Sequence, residues 1–310
     1  MEFNKIQNET QRRALLEIAI CDSPDDDVSE LAERLAKDSQ VVVIQASDAD
    51  APLAIIAAQA QSGNSGYVWS PKEMSKSFAT SATRDESEDA LPGQALLQHA
   101  LDWLSQGGAT LAQALLDPGD VESKELFVSA GFAHLADLAY VGAIAGDFPD
   151  TPPVSSLEFL PITQEQFETK LPELAELVQR TYQQTQDCPA IADFRTIEET
   201  LAGYQGVGQF DPGNWFFVRH NDESVGCLIL AEQLSGGVPA MELVYMGVCP
   251  EARGHGFGAD IVRFAQWHST ERSAERIVLA VDVNNQPALA MYAKCGFGLW
   301  GQRTAMIKKL

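Results

Sequence analysis

The second half of the chain alternates between apolar runs of strand length and stretches with apolar residues at helical spacing. The helical spacing predicts helices over residues 164–184, 197–204, 257–268 and 287–294. The apolar runs predict strands over residues 157–160, 215–219, 226–232, 241–248, 276–283 and 303–309. The resulting order, β-α-α-β-β-β-α-β-α-β, predicts an α/β (α+β) fold class for this half.

The first half repeats the pattern less clearly. Strands are predicted over residues 40–45, 53–59, 66–70 and 110–116, with a helix over 93–104. The segment LFVSAGF at 126–132 parallels MYAKCGF at 291–297. Between the halves, GDFPDTPPV at 146–154 has the proline-rich composition of a linker. We therefore predict two domains of one fold, residues 1–150 and residues 155–310.

The segment VCPEARGHGFGA at 248–259 joins a predicted strand to the helix that follows it. Glycine lets backbone N–H groups approach a ligand closely, and a helix N-terminus attracts anions. The loop is therefore predicted to hold a pyrophosphate, either of a dinucleotide or of coenzyme A. For a dinucleotide, Gly254, Gly256 and Ala259 satisfy G-x-G-x-x-A, and Asp282 ends a later strand where a ribose-binding acid is expected.

Three features favour coenzyme A. The residues CPEAR at 249–253 separate the strand from Gly254, whereas a dinucleotide turn is tight. Few residues remain after Asp282 for further parallel strands. Finally, RGHGFG at 253–258 resembles motif A of the GNAT acyltransferases, Arg/Gln-x-x-Gly-x-Gly/Ala, and NQPALAMYAKCGF at 285–297 resembles motif B of that family. With both motifs in order, the resemblance covers the whole second half.

The resemblance implies two GNAT-like domains, each a mixed, mostly antiparallel sheet flanked by helices. It implies an acetyl-CoA-dependent N-acetyltransferase that passes an acetyl group to a primary amine by direct attack. In this family the glycine loop binds mainly through its backbone N–H groups. The positions that match the family's coenzyme A site are Met246, Val248, Arg253, Gly254, His255, Gly256, Phe257, Gly258, Asn285, Ala288 and Tyr292.

The predicted catalytic groups lie on the strand before the loop and on the last helix. Residue-by-residue matching puts the Met246 N–H at the thioester oxygen, on a strand whose bulge Gly247 is expected to ease. Glu242 is the predicted base, because alternation along a strand places it on one face with Met246 and Val248. A carboxylate inside an apolar strand also needs a reason, because burying it unpaired is costly. Tyr292 is the predicted acid for the leaving thiolate.

Acceptor specificity in this family usually comes from the first two helices of the domain and the segment joining them. Tyr182, Thr185 and Asp187 lie there and are the predicted acceptor residues, with Asp187 suited to pair with a cation. A capping or loop-stabilising role for the three residues remains an open alternative.

The first half resembles a degenerate copy of the same fold. Ala90 stands at the Arg/Gln position of motif A, Gly93 and Ala95 match its end, and Phe127 replaces the tyrosine of motif B. Acidic residues that would repel a pyrophosphate crowd the approach, namely Asp85, Glu86, Glu88 and Asp89. We predict a structural or substrate-shaping role without catalysis. Such a tandem arrangement is similar to that of the mycothiol synthases.

Composition narrows the class of protein. The 310 residues are 45% hydrophobic, which favours packed cores over disorder. The chain has no apolar run of about 18 residues and no signal-peptide core near Met1, so a cytoplasmic protein is expected. Five scattered cysteines without C-x-x-C predict neither a disulfide framework nor a metal site.

The net charge of −23 argues against nucleic acid and anionic membranes as partners. The acidity is uneven, with 9 basic and 25 acidic residues in 1–153 and 12 and 19 in 154–310. The expected partner is a small-molecule or peptide amine. Two rival functions remain at this point, a non-catalytic acyl-CoA-binding or sensing protein and a nicotinamide dinucleotide enzyme. Glu242 and Tyr292 argue against the first, because binding alone needs neither.

Overall fold

The computed structural model describes residues 1–22, 28–49, 51–74, 92–235 and 237–310. The chain forms two compact units, Met1–Leu135 together with Thr304–Leu310, and Ala136–Arg303. The predicted linker at 146–154 thus falls inside the second unit, and the last residues of the chain belong to the first. Among the described residues, no helix has the length and apolar character needed to cross a membrane.

The first unit is a sheet with helices on both faces. Its strands follow the order β1-β2-β3-β4-β6-β13, with β5 paired to β3. The β4–β6 pair is parallel, and β6 pairs with β13 in the antiparallel sense. The strands are β1 (Glu2–Lys5), β2 (Val41–Asp48), β3 (Ala51–Gln61), β4 (Ser65–Val68), β5 (Lys72–Glu73), β6 (Leu111–Leu116) and the end of β13 (Gly298–Lys309). The helices are α1 (Glu9–Ala19), α2 (Val28–Lys37), α3 (Pro92–Gln106) and α4 (Val121–Ser129).

From β8 to α8 the second unit has the predicted order of elements, preceded by a further strand, whereas most of the last predicted strand belongs to the first unit. Its strands follow the order β7-β12-β11-β10-β9-β8. The pairs are antiparallel except β11–β12. The strands are β7 (Ala133–Ile144), β8 (Glu158–Pro161), β9 (Trp215–His220), β10 (Glu223–Ser235), β11 (Val238–Val248) and β12 (Arg276–Asp282). The helices are α5 (Phe167–Tyr182), α6 (Ile197–Gln205), α7 (Phe257–Glu271) and α8 (Gln286–Lys294).

Alternate side chains along the strands of the second unit pack into two apolar clusters, one on each face of the sheet. On β10, Leu228 and Leu230 pack into the cluster that holds Ile261 of α7. Between them, Ile229 points to the other face and packs with Leu177 of α5. Helices α7 and α8 therefore cover one face, and α5 and α6 cover the other. We call these the α7 face and the α5 face.

Each sheet is completed by a strand from the other half of the sequence. In the second unit, residues 138–144 of β7 pair with β12. In the first unit, Thr304–Lys309 of β13 pair with β6. The sequence analysis missed β7, whose alanines and leucines favour helix over strand on their own. Pairing with β12 overrides that preference, which is common because strand formation depends on the neighbours.

A polar network lies at the C-terminal half of α7. Asn214 is fully buried, accepts a hydrogen bond from His268 Nε2 at 2.8 Å, and donates from Nδ2 to Glu232 Oε1 at 3.2 Å. Arg272 Nη1 pairs with Glu232 at 3.1 Å and with Asp211 at 2.9 Å. Burial, together with the charge of Arg272, lowers the pKa of His268 from 6.5 to about 4. His268 is therefore a neutral donor at neutral pH.

This low pKa predicts an acid-sensitive fold. Between pH 6.5 and 4 the unfolded chain binds a proton at His268 that the folded chain does not, so stability falls as pH decreases. Allowing for partial exposure of the ring, we expect a loss of about 2 kcal/mol from this residue. His268→Gln keeps a donor for Asn214 and removes the titration. Denaturant unfolding at pH 7 and pH 4.5 should show a smaller loss in this variant, and equal losses in both proteins would contradict the assignment.

Candidate active site

Strand β11 carries a bulge that changes which side chains share a face. Its register against β10 shifts between Ile229 and Leu230, which leaves Val244 without an opposite residue. Side chains before and after a bulge are out of phase. Leu243 and Met246 accordingly both pack into the cluster on the α7 face. Val244 and Tyr245 pack into the cluster on the α5 face.

The bulge overturns the predicted alignment of Glu242 with Met246 and Val248. Met241 and Leu243 both belong to the α7 face, so alternation places Glu242 between them on the α5 face. Met246 and Val248 lie on the α7 face. The sequence prediction assumed unbroken alternation of side chains along β11, and the extra residue, Val244, interrupts it. Glu242 is only partly buried, and it faces the side of the sheet that carries the predicted acceptor segment.

Gly247 does not form the bulge. A Cβ added at Gly247 would lie 2.5 Å from Thr181 Cβ, so a side chain there would collide with α5. The glycine instead allows close packing of α5 on β11. Thr181 Oγ1 lies 2.7 Å from the Tyr245 hydroxyl at the same place. The predicted role of Gly247 is therefore wrong in detail, although the bulge itself is present.

Strands β11 and β12 part halfway along their length. Their parallel ladder is formed by Ala240, Met241 and Glu242 of β11, opposite residues 276–278 of β12. Strand β11 continues to Val248 along β10. Cys249 donates its N–H to Val225 O at 2.8 Å. Because successive N–H groups of a strand alternate in direction, those of Met246 and Val248 point away from β10, toward the opening.

The glycine loop presents a row of uncommitted donors. Gly254 and Gly256 have φ of +82° and +83°, and a Cβ at either would meet no atom within 4 Å. Gly256 caps α7 without a side-chain hydrogen bond, and the N–H groups of Ala259 and Asp260 return to its carbonyl. In the described chain, the N–H groups of residues 254–258 donate to no protein acceptor. Together with the dipole of α7, these donors are suited to bind an anion.

Arg253 holds the loop in place rather than facing its open side. Its guanidinium donates to the carbonyls of Val248 at 3.0 Å, Gln184 at 3.1 Å and Thr181 at 2.8 Å. These acceptors belong to β11 and to the end of α5, so one side chain ties both to the loop. His255 Nδ1 lies 3.0 Å from Arg253 O, and its ring stacks on Phe257 at 5.6 Å.

Helix α8 brings the motif B residues to the same face of the sheet. Asn285 caps the helix by accepting from the Ala288 N–H at 3.3 Å. Tyr292 is buried and packs against Phe297 at 5.4 Å between ring centroids. Burial, with a smaller contribution from the nearby Asp187 carboxylate, raises the pKa of Tyr292, which is therefore protonated at neutral pH. Gly258 packs close to Met246, because a Cβ added at Gly258 would lie 3.8 Å from the Met246 methyl group.

The predicted acceptor residues are anchored to the end of β12. Asp187 Oδ1 accepts from the Asp282 N–H at 2.9 Å, and Thr185 Oγ1 accepts from the Asp187 N–H at 3.1 Å. Asp282 Oδ2 in turn accepts from the Cys188 N–H at 3.2 Å. Burial raises the pKa of Asp187 and outweighs the hydrogen bonds that lower it. Thr185 and Asp187 thus both stabilise the segment, and the pairing of Asp187 with a cation stays a prediction.

The predicted acceptor residue Tyr182 lies on the α5 face with two tyrosines that the sequence analysis did not identify, Tyr204 and Tyr245. The Tyr182 and Tyr204 hydroxyls lie 2.8 Å apart. Their rings contact Tyr245 at centroid distances of 5.4 and 5.5 Å. Burial raises the pKa of Tyr182 to about 12 and that of Tyr204 well above 10. Tyr204 and Tyr245 lie far from Tyr182 in sequence, and neither has a motif of its own, so only the fold brings them together.

The arrangement contradicts the dinucleotide hypothesis. The strand before the glycine loop, β11, is antiparallel to β10 and parallel only to a short part of β12. A dinucleotide fold needs a parallel sheet around that strand. Asp282, the candidate ribose ligand, is 3% exposed and accepts from the N–H and the side-chain amide of Asn284. Asp282 is therefore a buried structural carboxylate.

Comparison with known proteins agrees with this geometry. Residues 171–297 match the model of the Acetyltransferase (GNAT) family. A mycothiol acetyltransferase of Streptomyces bingchenggensis is 33% identical over 106 residues, which are 33% of this chain and 32% of that protein. One of Thermobifida fusca is 34% identical over 96 residues, 31% of this chain and 27% of that protein. The matches thus span about a third or less of these curated relatives.

Solved structures share the fold over both units. A GCN5-related N-acetyltransferase from Sphaerobacter thermophilus superposes with a TM-score of 0.62 at 16% identity, covering 99% of this chain and 95% of that one. A tandem GNAT protein from the clavulanic acid biosynthesis pathway has a TM-score of 0.55 at 13% identity, and the match covers 99% of this chain and 98% of that one. At this identity the likeness concerns the fold alone.

The clamp made by Arg253 predicts a local stability effect. Arg253→Gln removes a charged donor from three carbonyls, so we expect the free energy of unfolding to fall by about 2 kcal/mol. Hydrogen exchange should quicken in segment 249–258 and at the end of α5. Arg263→Gln is the control, because Arg263 is an exposed residue of α7 paired with Asp260. Equal exchange rates in the two variants would contradict the clamp.

Proposed function

We propose that this chain, a member of the GNAT superfamily, transfers an acetyl group from acetyl-CoA to a primary amine in its second unit. The observation that carries the proposal is the opening between β11 and β12, which leads from the uncommitted N–H groups of the glycine loop. A binding groove with donors at one end and strand amides along its wall suits a pyrophosphate followed by an amide-containing arm.

The coenzyme is held mainly by backbone groups in this proposal. The N–H groups of residues 254–258 bind the pyrophosphate at the start of α7, where the helix dipole adds attraction. Val248 lies along the pantetheine arm, and Ala288 of α8 offers it a small surface. Asn285 contributes by capping α8 and by its contact with Asp187. Arg253 acts indirectly, by fixing the loop.

The Met246 N–H stabilises the thioester oxygen as negative charge develops there. The support is its direction, away from β10 and into the opening. A backbone donor fixed by the sheet needs no reorganisation during the reaction, which is what makes such donors effective. The Met246 side chain packs on the α7 face and takes no part.

Glu242 accepts the proton of the attacking amine. It lies at the narrow end of the opening, where the β11–β12 ladder stops, and on the α5 face with the predicted acceptor segment. At the rise of a β-strand, four residues separate its Cα from that of Met246 by about 12 Å. The transfer therefore runs through bridging water, with the carboxylate as the final acceptor.

Tyr292 supplies the proton that the leaving thiolate takes when the carbon–sulfur bond breaks. Its raised pKa keeps the phenol protonated at neutral pH, as an acid requires. Tyr182, Thr185 and Asp187 border the acceptor amine, which is a small molecule or a peptide amine.

We infer that the first unit is a degenerate copy that does not catalyse. Its β4–β6 pair repeats the short parallel ladder of the second unit, over residues 65–67 and 111–113. Phe127 takes the place of Tyr292, so this position has no hydroxyl to act as an acid. Its ring is fully buried and packs against Phe132. Gly93 and Ala95 fall within α3. The predicted motif position Ala90 and the acidic residues at 85–89 lie outside the described residues.

Turnover distinguishes this enzyme from a protein that only binds acyl-CoA. Release of the coenzyme A thiol is followed with a panel of primary amines. Glu242→Gln and Tyr292→Phe should each lower kcat/KM about a hundred-fold or more, the usual contribution of a positioned acid or base. The dissociation constant for acetyl-CoA should stay unchanged in both variants.

The control for the lost charge is Glu198→Gln, at an exposed position in the first turn of α6. It should retain full activity. Unchanged turnover in a variant that combines Glu242→Gln with Tyr292→Phe would remove both residues from the chemistry. Tight acetyl-CoA binding without turnover of any amine would favour the binding-protein alternative.

A further inference from the structure

Arg195 has an unpaired guanidinium in the segment that joins α5 to α6. Its Nε atom is buried and has no hydrogen-bond partner. Across the part of the chain that the structure describes, its side chain makes no hydrogen bond and no salt bridge. Arg12 also has a buried Nε without a partner, but its Nη2 donates to the carbonyls of Asp38 and Val41. Arg12 is thus committed to the fold, and Arg195 is not.

The one carboxylate that acts on the charge of Arg195 makes no hydrogen bond or salt bridge with it. Its electrostatic neighbours are the phenols of Tyr204 and Tyr182 and the carboxylate of Glu199. Burial raises the pKa of both phenols, so they are neutral at neutral pH. Glu199 Oε2 accepts from the Thr196 N–H at 3.0 Å and closes the capping box of α6. Burial also lowers the pKa of Arg195. A partly buried charge without a partner is costly, and an anionic ligand would remove that cost.

The position of Arg195 matches the acceptor side of the proposed active site. The Tyr182 and Tyr204 rings beside it contact Tyr245 of β11. Tyr245 precedes Met246 and points to the α5 face, which is also the face of Glu242. Arg195 is the one basic residue of the joining segment, which also carries two carboxylates, Asp187 and Asp193.

We propose that Arg195 binds a carboxylate of the acceptor, so that the acceptor is an amino acid or a close relative carrying both an amine and a carboxylate. The inference rests on the proposed acetyl transfer to an amine. One guanidinium matches one carboxylate in charge and in its two-pronged geometry. A dianionic phosphate would call for a second cation, and the described residues that act on the charge of Arg195 include none. Arg195 acts as a specificity residue and takes no part in the proton transfers.

Binding to the coenzyme-loaded protein tests this directly. The full chain, saturated with coenzyme A, is titrated calorimetrically with the common L-amino acids, each paired with its amide. At least one amino acid should bind about ten-fold or more tightly than its amide, as expected for a charge-assisted pair. Arg195→Gln should abolish that preference, and Arg195→Lys should keep part of it. Arg219→Gln, a change on β9 that removes the same charge, should leave it intact.

Two results overturn the inference. One is that no amino acid binds more tightly than its amide. The other is that Arg195→Gln, shown by its unfolding curve to be folded, keeps the preference. Acetyl transfer is scored separately from the release of thiol. Carboxylate-dependent binding without turnover would contradict the proposed function and support the Arg195 site. Turnover of amines without a carboxylate preference would support the proposed function and contradict the Arg195 site.

Discussion

The parting of β11 from β12 is the constraint on which the rest of the second unit depends. Backbone N–H and carbonyl groups inside a sheet need partners, and an unpaired edge in its middle is costly. Here the ladder ends at Glu242, while β11 runs on to Val248 with its outward groups facing an opening. The bulge at Val244 re-aims the strand at this point. A ligand that carries its own amides can pair with such an edge, much as a peptide adds to the edge of a sheet.

The loop and the acceptor segment are held to this opening by buried polar contacts. Arg253 ties the glycine loop to the last turn of α5. Asp282 and Asp187 tie the segment after α5 to the end of β12 by reciprocal hydrogen bonds. Both sets of contacts meet at the same stretch of chain. The glycine loop and the predicted acceptor segment are therefore parts of one polar framework, in which loss of one anchor is expected to loosen the other.

The sequence was sufficient for the parts of the fold that local patterns specify. The strand–loop–helix around Gly256 and the helix capped by Asn285 were predicted at nearly their observed limits, because glycine, proline and capping residues mark them. The β7 strand and the exchange of last strands were missed, since partners distant in sequence decide them. The face of Glu242 was predicted wrongly, because one bulged residue inverts an alternation and leaves no composition signal.

The site residues divide in the same way. Tyr292 could be predicted as a site residue because it lies in a motif with a helix cap after it. Arg195, Tyr204 and Tyr245 were not, because they gain meaning only from their proximity in the fold. Arg253 was predicted as a coenzyme-binding position, and in the structure its side chain donates to three backbone carbonyls that hold the loop in place. A motif thus indicates where a candidate residue lies in the chain, and the contacts in the fold indicate how it can act.

The most direct test of the account is a calorimetric titration of acetyl-CoA into the wild-type protein, Gly256→Glu and Gly296→Glu. Both glycines have positive φ, +83° and +85°, and open space around them, so the two variants carry similar strain and the same added charge. Gly296 follows the C-cap of α8 and lies outside the glycine loop in sequence. We predict micromolar binding by the wild type and by Gly296→Glu, and none by Gly256→Glu. No binding by the wild type, or equal binding by all three, would contradict a coenzyme site on this loop.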